Sequence, residues 1–522
     1  MSEQQQPHTL TLRASLSKTI EKLTQHKILS KSPLHAEAAF CIHPQFELPT
    51  RTPPSASALH STILNTDIRR LRRDCEKKFW ASRDNTVTKG SCNEDVSPSI
   101  DIDRIRIMDN TMNEKNGYHP NGNSSDMGSD TMTPFQFKQN YLHRNIPCII
   151  QNISLPITNE WYNDSTNESI SVSAQTQQQQ DDHEGIASIN SHKKATINTQ
   201  WFLENVGEDT IVPVRINQEG YEDGRATECL TLKMTMKQWI HHQRNDPDPK
   251  HYLKDWHMQS LFQDLYKNPV IFYDVLNPFL IENEGGDYRF VYWGCKGSKT
   301  GIHSDVLNSF SWSYNVVGKK RWTFYHPDDL SGSTKGAMVV IQDKGEMMYV
   351  PSGWRHSVEN LEETISVNHN WMMAGALDCV FACLVDEIGA IEGELSAWGM
   401  ASDDMADLSR VREDMLRGCV GMDVTTFCVL VLGCFVDCLV TLVSDDLVHT
   451  DDNEAEQWFD FICIRKVLGV VLENTNEDNE GKATNMIALR LRLISTLGHN
   501  LGCEVMDVMH ALYEIRIDCT GF

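Results

Sequence analysis

Between Trp201 and Trp371 short apolar runs alternate with Gly, Pro or charged turns: VPVRI, YRFVYWG, TGIHSD, SFSWSYNVV, RWTFYHP, MVVIQ, EMMYVP and TISVNHNW. Each run is too short for a helix and crowded with β-branched and aromatic residues, which suit a pleated, half-buried surface. Together they predict an all-β sandwich or small barrel. Upstream, TPFQFKQNYLHRNIPCIIQNI predicts a helical segment ending near Asn145-Ile146-Pro147, with a β-branched run after it. Beyond residue 372 the period lengthens. ALDCVFACLVDEIGAIEGELSAW and ATNMIALRLRLISTLGHNLGCEVMDVMHALYEI predict long helices, divided by polar loops around DDNEAEQ and ENTNEDNEGK. Helices with one apolar face must bury it, so this tail is expected to cover the barrel or to join two copies of the chain as a homodimer.

Three segments interrupt this scheme. Residues 1 to about 130 are rich in Ser, Thr, Asn, Gln and Pro and close on NGNSSDMGSD. So little apolar surface predicts a largely disordered region that adds nothing to a functional site. Within it, DIRRLRRDCEKKFW from Asp67 to Trp80 predicts a solvated amphipathic helix. Residues 159–198, which include QTQQQQDDHE, read as an insertion in a domain spanning 131–372, since closing a longer loop adds little cost. Residues 373–522 form the helical region. In it Phe427 to Val443 is strongly apolar, but it falls short of the ~20 residues a membrane span needs and contains Asp437, so a buried helix is predicted.

Composition narrows the function. A formal charge of −25 disfavours a general binder of nucleic acid, which needs a basic face, and suits a basic protein segment as substrate. Fifteen cysteines, an odd number without C-x-x-C pairs, indicate neither a disulfide framework nor a zinc ribbon. Reduced thiols in the cytoplasm, with the nucleus as a second compartment, are expected. The start, MSEQQQPHTL, lacks the basic and apolar parts of a signal peptide, and no membrane partner is expected.

Candidate chemistry centres on three residues. In TGIHSD, strand alternation places His303 and Asp305 on one face, so a nitrogen and a carboxylate oxygen can reach one point. His356 follows the strand EMMYV and the turn PSGW. Two histidines and one carboxylate make the facial triad that leaves three cis positions open on non-haem iron(II).

At this point the chain resembles a known family. The stretches TGIHSDVLNSFSWSYNVVGKKRW and VPSGWRHSVENLEETISVNHNW resemble the Jumonji-C oxygenases, whose barrel carries H-x-D on one strand and the last histidine near its end. The likeness covers residues 133–160, 199–371 and the helices to about 443. It implies a mainly β catalytic domain, a double-stranded β-helix of the cupin-like jelly-roll type, with flanking helices. It implies iron(II) on His303, Asp305 and His356, with 2-oxoglutarate and dioxygen as cosubstrates and no catalytic side chain beyond the ligands. By the same resemblance Lys320, two residues after the turn glycine Gly318, grips the distal carboxylate of 2-oxoglutarate. Thr300 bonds the cosubstrate or substrate, Asn368 and Asn370 orient the cosubstrate carboxylates, and Tyr252 reaches the distal one. Where a relative uses an asparagine this chain has Ser313, and Ser311 or Asn315 on the same strand face are the expected replacements. The implied activity is hydroxylation of a protein side chain, a lysine, with the translation termination factor as the expected substrate. The alternatives are demethylation of a methylated lysine or arginine, and a catalytically silent scaffold, against which the intact triad and Lys320 argue.

Overall fold

The apolar runs form two sheets that face one another. In a computed structural model, the structure describes residues 5–27, 29–31, 40–42, 68–84, 102–107, 131–163, 195–216, 230–262, 265–283, 286–327, 337–398, 405–443, 451–473 and 499–513. Helices α1 (Gln5–Gln25) and α2 (Ile68–Asp84) come first. The strands of the two sheets are β1 (Arg104–Ile107), β2 (Thr131–Met132), β3 (Cys148–Ile150), β4 (Ile211–Ile216), β5 (Thr231–Thr235), β6 (His251–Trp256) and β7 (Arg289–Gly294). They continue with β8 (Lys299–His303), β9 (Phe310–Val317), β10 (Lys320–Phe324), β11 (Met338–Gln342), β12 (Met347–Val350), β13 (His356–Asn360) and β14 (Thr364–Trp371). Ten strands make one sheet in the order β2-β1-β3-β12-β9-β14-β7-β6-β4-β5, and four make the other in the order β8-β13-β10-β11. The barrel is the jelly-roll core.

Strands β9 and β14 pair along most of their length and are buried at every one of their eight positions. Their alternation explains why they are covered on both faces. Phe310, Trp312, Tyr314, Ile365, Val367 and Trp371 point outward into the main apolar core, which the helices complete. Ser311, Ser313, Asn315, Thr364, Ser366, Asn368 and Asn370 occupy the opposite face and point between the sheets. A polar floor therefore lies inside the barrel. Beside it Met348 and Val350 of the large sheet meet Trp322, Phe324, Met338 and Val340 of the small one in a second, smaller core.

The tail comprises α3 (Leu377–Ala397), α4 (Met405–Val420), α5 (Val424–Val443), α6 (Asp451–Glu473) and α7 (His499–Tyr513). Leu377, Phe427, Phe459 and Val508 share the main core with the outer face of the large sheet, so the tail covers the barrel. Among the described residues Val424–Leu442 is the one helix long and apolar enough to cross a membrane, yet 72% of that window is buried. Its charge, Asp437, faces outward and pairs with Lys22 of α1 at 2.9 Å.

The N-terminal region departs from expectation. Leu12, Leu16 and Leu23 of α1 are fully buried in the main core, β1 joins the large sheet, and Phe79 and Trp80 of α2 enter the core between the sheets. The helix read as solvated is therefore docked, because its aromatic end supplies apolar surface that its charged composition hides. Of the rest of 1–130, residues 29–31 and 40–42 pair as a short antiparallel ladder, residues 26–27 and 102–103 are also described, and the others lie outside the described residues. The ends of the insertion meet in a two-stranded ladder of Tyr162–Asn163 with Thr196–Ile197, and residues 164–194 lie outside the described residues.

Candidate active site

Strands β8 and β13 run antiparallel with His303 directly opposite His356, and their rings are 4.3 Å apart. Strand β8 ends at His303, so Asp305 is not on it as the alternation argument assumed. The backbone stays extended at Asp305 (φ −64°, ψ 150°), and the alternation carries past the strand end. One ligand atom from each of the three residues lies within 4.8 Å of the others.

The ligand atoms are set by their neighbours. His303 Nδ1 is 2.9 Å from the Gly301 carbonyl and His356 Nδ1 is 3.0 Å from that of Trp354. A carbonyl only accepts, so each Nδ1 carries the proton and each Nε2 offers its lone pair to a metal. The Ser311 hydroxyl donates to Asp305 Oδ2 at 2.7 Å, leaving Oδ1 for the ion. Desolvation, then the His356 ring and Lys254, push His303 well below the ordinary histidine value, which favours the neutral form that binds metal. This donor set fits iron(II).

Lys320, Thr300, Asn368, Asn370 and Tyr252 line the same cavity as the triad. Gly318, at φ +85°, turns β9 into β10, and from there Lys320 points in while Arg321 points out. Lys320 is 1% exposed and its ammonium donates to Ser366 Oγ at 2.6 Å. It makes no ion pair among the described residues. Burial, then Lys254, lowers it to about 7. Its neighbour Lys319 instead pairs with Asp343 at the surface, at 2.8 Å. Asn368 Nδ2 donates to Ser366 Oγ at 3.1 Å and Asn370 Nδ2 to Ser309 Oγ at 3.1 Å. Tyr252 is buried, which pushes its hydroxyl above the ordinary tyrosine value.

Of the three polar residues on the inner face of β9, Ser311 is taken by Asp305, and Asn315 Nδ2 donates to the Gly318 carbonyl at 2.8 Å. Each of these two side chains therefore already makes a hydrogen bond within the protein. Ser313 Oγ is buried in the cavity wall with no hydrogen-bond partner, the orphan that a bound carboxylate would satisfy. A 2-oxoglutarate dianion fits these donors.

Sequence reasoning missed Lys254 and Tyr292, which also line the cavity, with the Lys254 ammonium 5.6 Å from the centre of the Tyr292 ring. Tyr252 and Lys254 are two residues apart in HYLKDW, but only the structure shows that segment to be strand β6. A larger cleft beside α1, α5 and α6, lined by Lys138, Glu456 and Asp460, shares no residue with the triad cavity.

A family model described as "JmjC domain, hydroxylase" matches residues 323–371, which include His356. The chain is 34% identical over 253 residues to the 2-oxoglutarate and iron-dependent oxygenase JMJD4 of Danio rerio, covering 42% of this chain and 59% of that protein. To the JMJD4 homolog of Drosophila melanogaster, with the same oxygenase description, it is 30% identical over 326 residues, covering 55% of this chain and 72% of that one. It is also 35% identical over 204 residues to the arginine-specific demethylase JMJ20 of Arabidopsis thaliana, covering 30% and 44%. The chain thus spans about 60% of the length of the first curated relatives it matches.

Proposed function

This chain belongs to the JMJD4 family of 2-oxoglutarate and iron-dependent oxygenases, and on that premise we propose that it is an iron(II)- and 2-oxoglutarate-dependent dioxygenase that hydroxylates a lysine side chain of a protein, the translation termination factor being the first candidate. The observation that supports the 2-oxoglutarate-dependent part of this reading is Lys320, a buried ammonium with no ion pair among the described residues, in the same cavity as the triad. A cation so placed calls for an anion, and a dicarboxylate that also reaches a metal meets that need.

Bound iron(II) and 2-oxoglutarate would supply the power to oxidise an unactivated C–H bond, with dioxygen consumed and succinate and carbon dioxide released. The chain's own residues bind and orient. His303, Asp305 and His356 would hold the metal, and the contacts with the Gly301 and Trp354 carbonyls and the Ser311 hydroxyl orient those side chains. Lys320, Tyr252 and Ser313 line the cavity, where Lys320 would receive the distal carboxylate and the two hydroxyls would be further donors to the cosubstrate. Among the cysteines whose side chains are described none is in a disulfide, which suits the reducing cytoplasm or nucleus that goes with this reading.

The test is to incubate the full chain with iron(II), ascorbate, 2-oxoglutarate and a termination-factor peptide. The expected result is succinate together with a peptide heavier by one oxygen atom on a lysine, both abolished in His303→Ala. A peptide that stays unmodified while succinate forms would sink the substrate. Similarity to the arginine-specific demethylase favours a second reading, in which a methylated peptide loses CH2 and formaldehyde appears.

A further inference from the structure

The third metal ligand is held by a turn rather than by a strand interior. His356 opens β13, and the carbonyl that fixes its tautomer belongs to Trp354 in the turn PSGW. The turn's own hydrogen bond, from the Trp354 amide to the Pro351 carbonyl, is long at 3.4 Å. The indole N–H of Trp354 has no hydrogen-bond partner, so packing alone decides where that ring sits.

That packing comes from helix α2. Trp80 stacks on Trp354 with ring centres 5.6 Å apart and planes 22° apart, and Phe79 meets Trp354 edge-on at 5.5 Å. Phe324 closes the other side, edge-on at 5.8 Å, and also lies 5.9 Å from the His356 ring. Trp80 is 1% exposed, and its own N–H has no hydrogen-bond partner either. The helix is pinned two turns away, about 12 Å along its axis. There Arg72 Nη1 meets Asp378 Oδ1 at 3.0 Å, and Nη2 donates to the Gly375 carbonyl at 3.3 Å. Both contacts lie at the start of the helical tail.

We propose that helix α2 is a clasp for the metal site: Trp80, stacked on Trp354, is a positioning residue that holds the carbonyl directing His356. The proposal rests on the metal reading of the triad. It assigns work at the site to a segment more than two hundred residues upstream in a region composed mainly of polar residues.

The test uses the full chain and Co(II), whose visible spectrum reports ligand geometry, with calorimetric titration for affinity. Trp80→Ala should raise the Co(II) dissociation constant by about 10-fold or more, the range seen when a group orienting a metal-bound histidine is lost. It should also shift the visible bands. Trp80→Phe keeps a stacking ring and should restore both. Leu16→Ala removes core packing in α1, away from Trp354, and should lower Tm without changing either reading. If Trp80→Ala lacks a cooperative unfolding transition, Trp80→Leu, which keeps bulk but not the ring, faces the same comparison. Parental Co(II) affinity in Trp80→Ala, or in Trp80→Leu where that variant stands in for it, would overturn the clasp, as would an equal loss of affinity in Leu16→Ala. Failure of the parent chain to bind Co(II) at all would instead overturn the metal reading on which the clasp depends.

Discussion

An ammonium in a protein interior with only a hydroxyl for a neighbour lowers stability, and Lys320 is so placed. Its value falls to about 7 from an ordinary 10.5, chiefly by burial. Between those values the unfolded chain binds more protons than the folded one, so this group makes stability rise with pH across that window. Lys320→Met should accordingly be more stable than the parent near neutral pH and below, and the gap should close as pH climbs from about 7 toward 10.5. Urea unfolding at a series of pH values measures it, and a gap independent of pH would contradict the account. The same substitution should weaken 2-oxoglutarate binding. Removing one partner of a buried charge pair costs about 2–5 kcal/mol, or roughly 30-fold and more in affinity. Lys319→Ala should change it little, because that side chain faces Asp343 at the surface. The choice between these adjacent lysines was legible in the chain, since alternation sends neighbours to opposite faces and the spacing from Gly318 selects one.

At the scale of elements, the turn between β9 and β10 sets the register that aims Lys320. Gly318 sits at φ +85°, and a Cβ there would lie 2.2 Å from the Glu363 carbonyl oxygen and 2.6 Å from Thr364 Oγ1. Gly318→Ala should lose at least about 1–3 kcal/mol from backbone strain alone and weaken 2-oxoglutarate binding as β10 shifts. Denaturant unfolding and calorimetry check the two effects, and a variant unchanged in both would remove the turn from the argument. The β9 and β14 runs declared themselves by length and aromatic content. Strand β6 did not, because His251, Lys254 and Asp255 break its apolar pattern; with it went Lys254, which only the sheet brings to the cavity.

Across the whole molecule, one buried ion pair ties the N-terminal helix to the tail. The Arg72 and Asp378 side chains are 6% and 10% exposed. Asp378→Ala leaves an uncompensated buried guanidinium and should cost about 3–5 kcal/mol, whereas the double replacement Arg72→Met with Asp378→Leu should recover most of it. Urea unfolding of the single and double variants decides: a double variant as unstable as the single would mean that the loss does not come from the stranded charge.

The sequence by itself pointed to most of the barrel strands by period-two alternation, to His303 and Asp305 by their spacing, and to His356 and Lys320 with the help of resemblance to the Jumonji-C oxygenases; the structure brings these four side chains to one cavity. The tertiary structure alone decided that Trp80 docks against Trp354, that Arg72 meets a partner 306 residues away, and that Ser313 rather than Ser311 or Asn315 stands unpartnered in the cavity. Those facts depend on which distant surfaces meet, and a side chain's availability is known only once its neighbours have taken their hydrogen bonds. A polar segment with two aromatic residues at one helix end looks dispensable by composition, yet those two rings are buried between the sheets and Arg72 is paired in the interior.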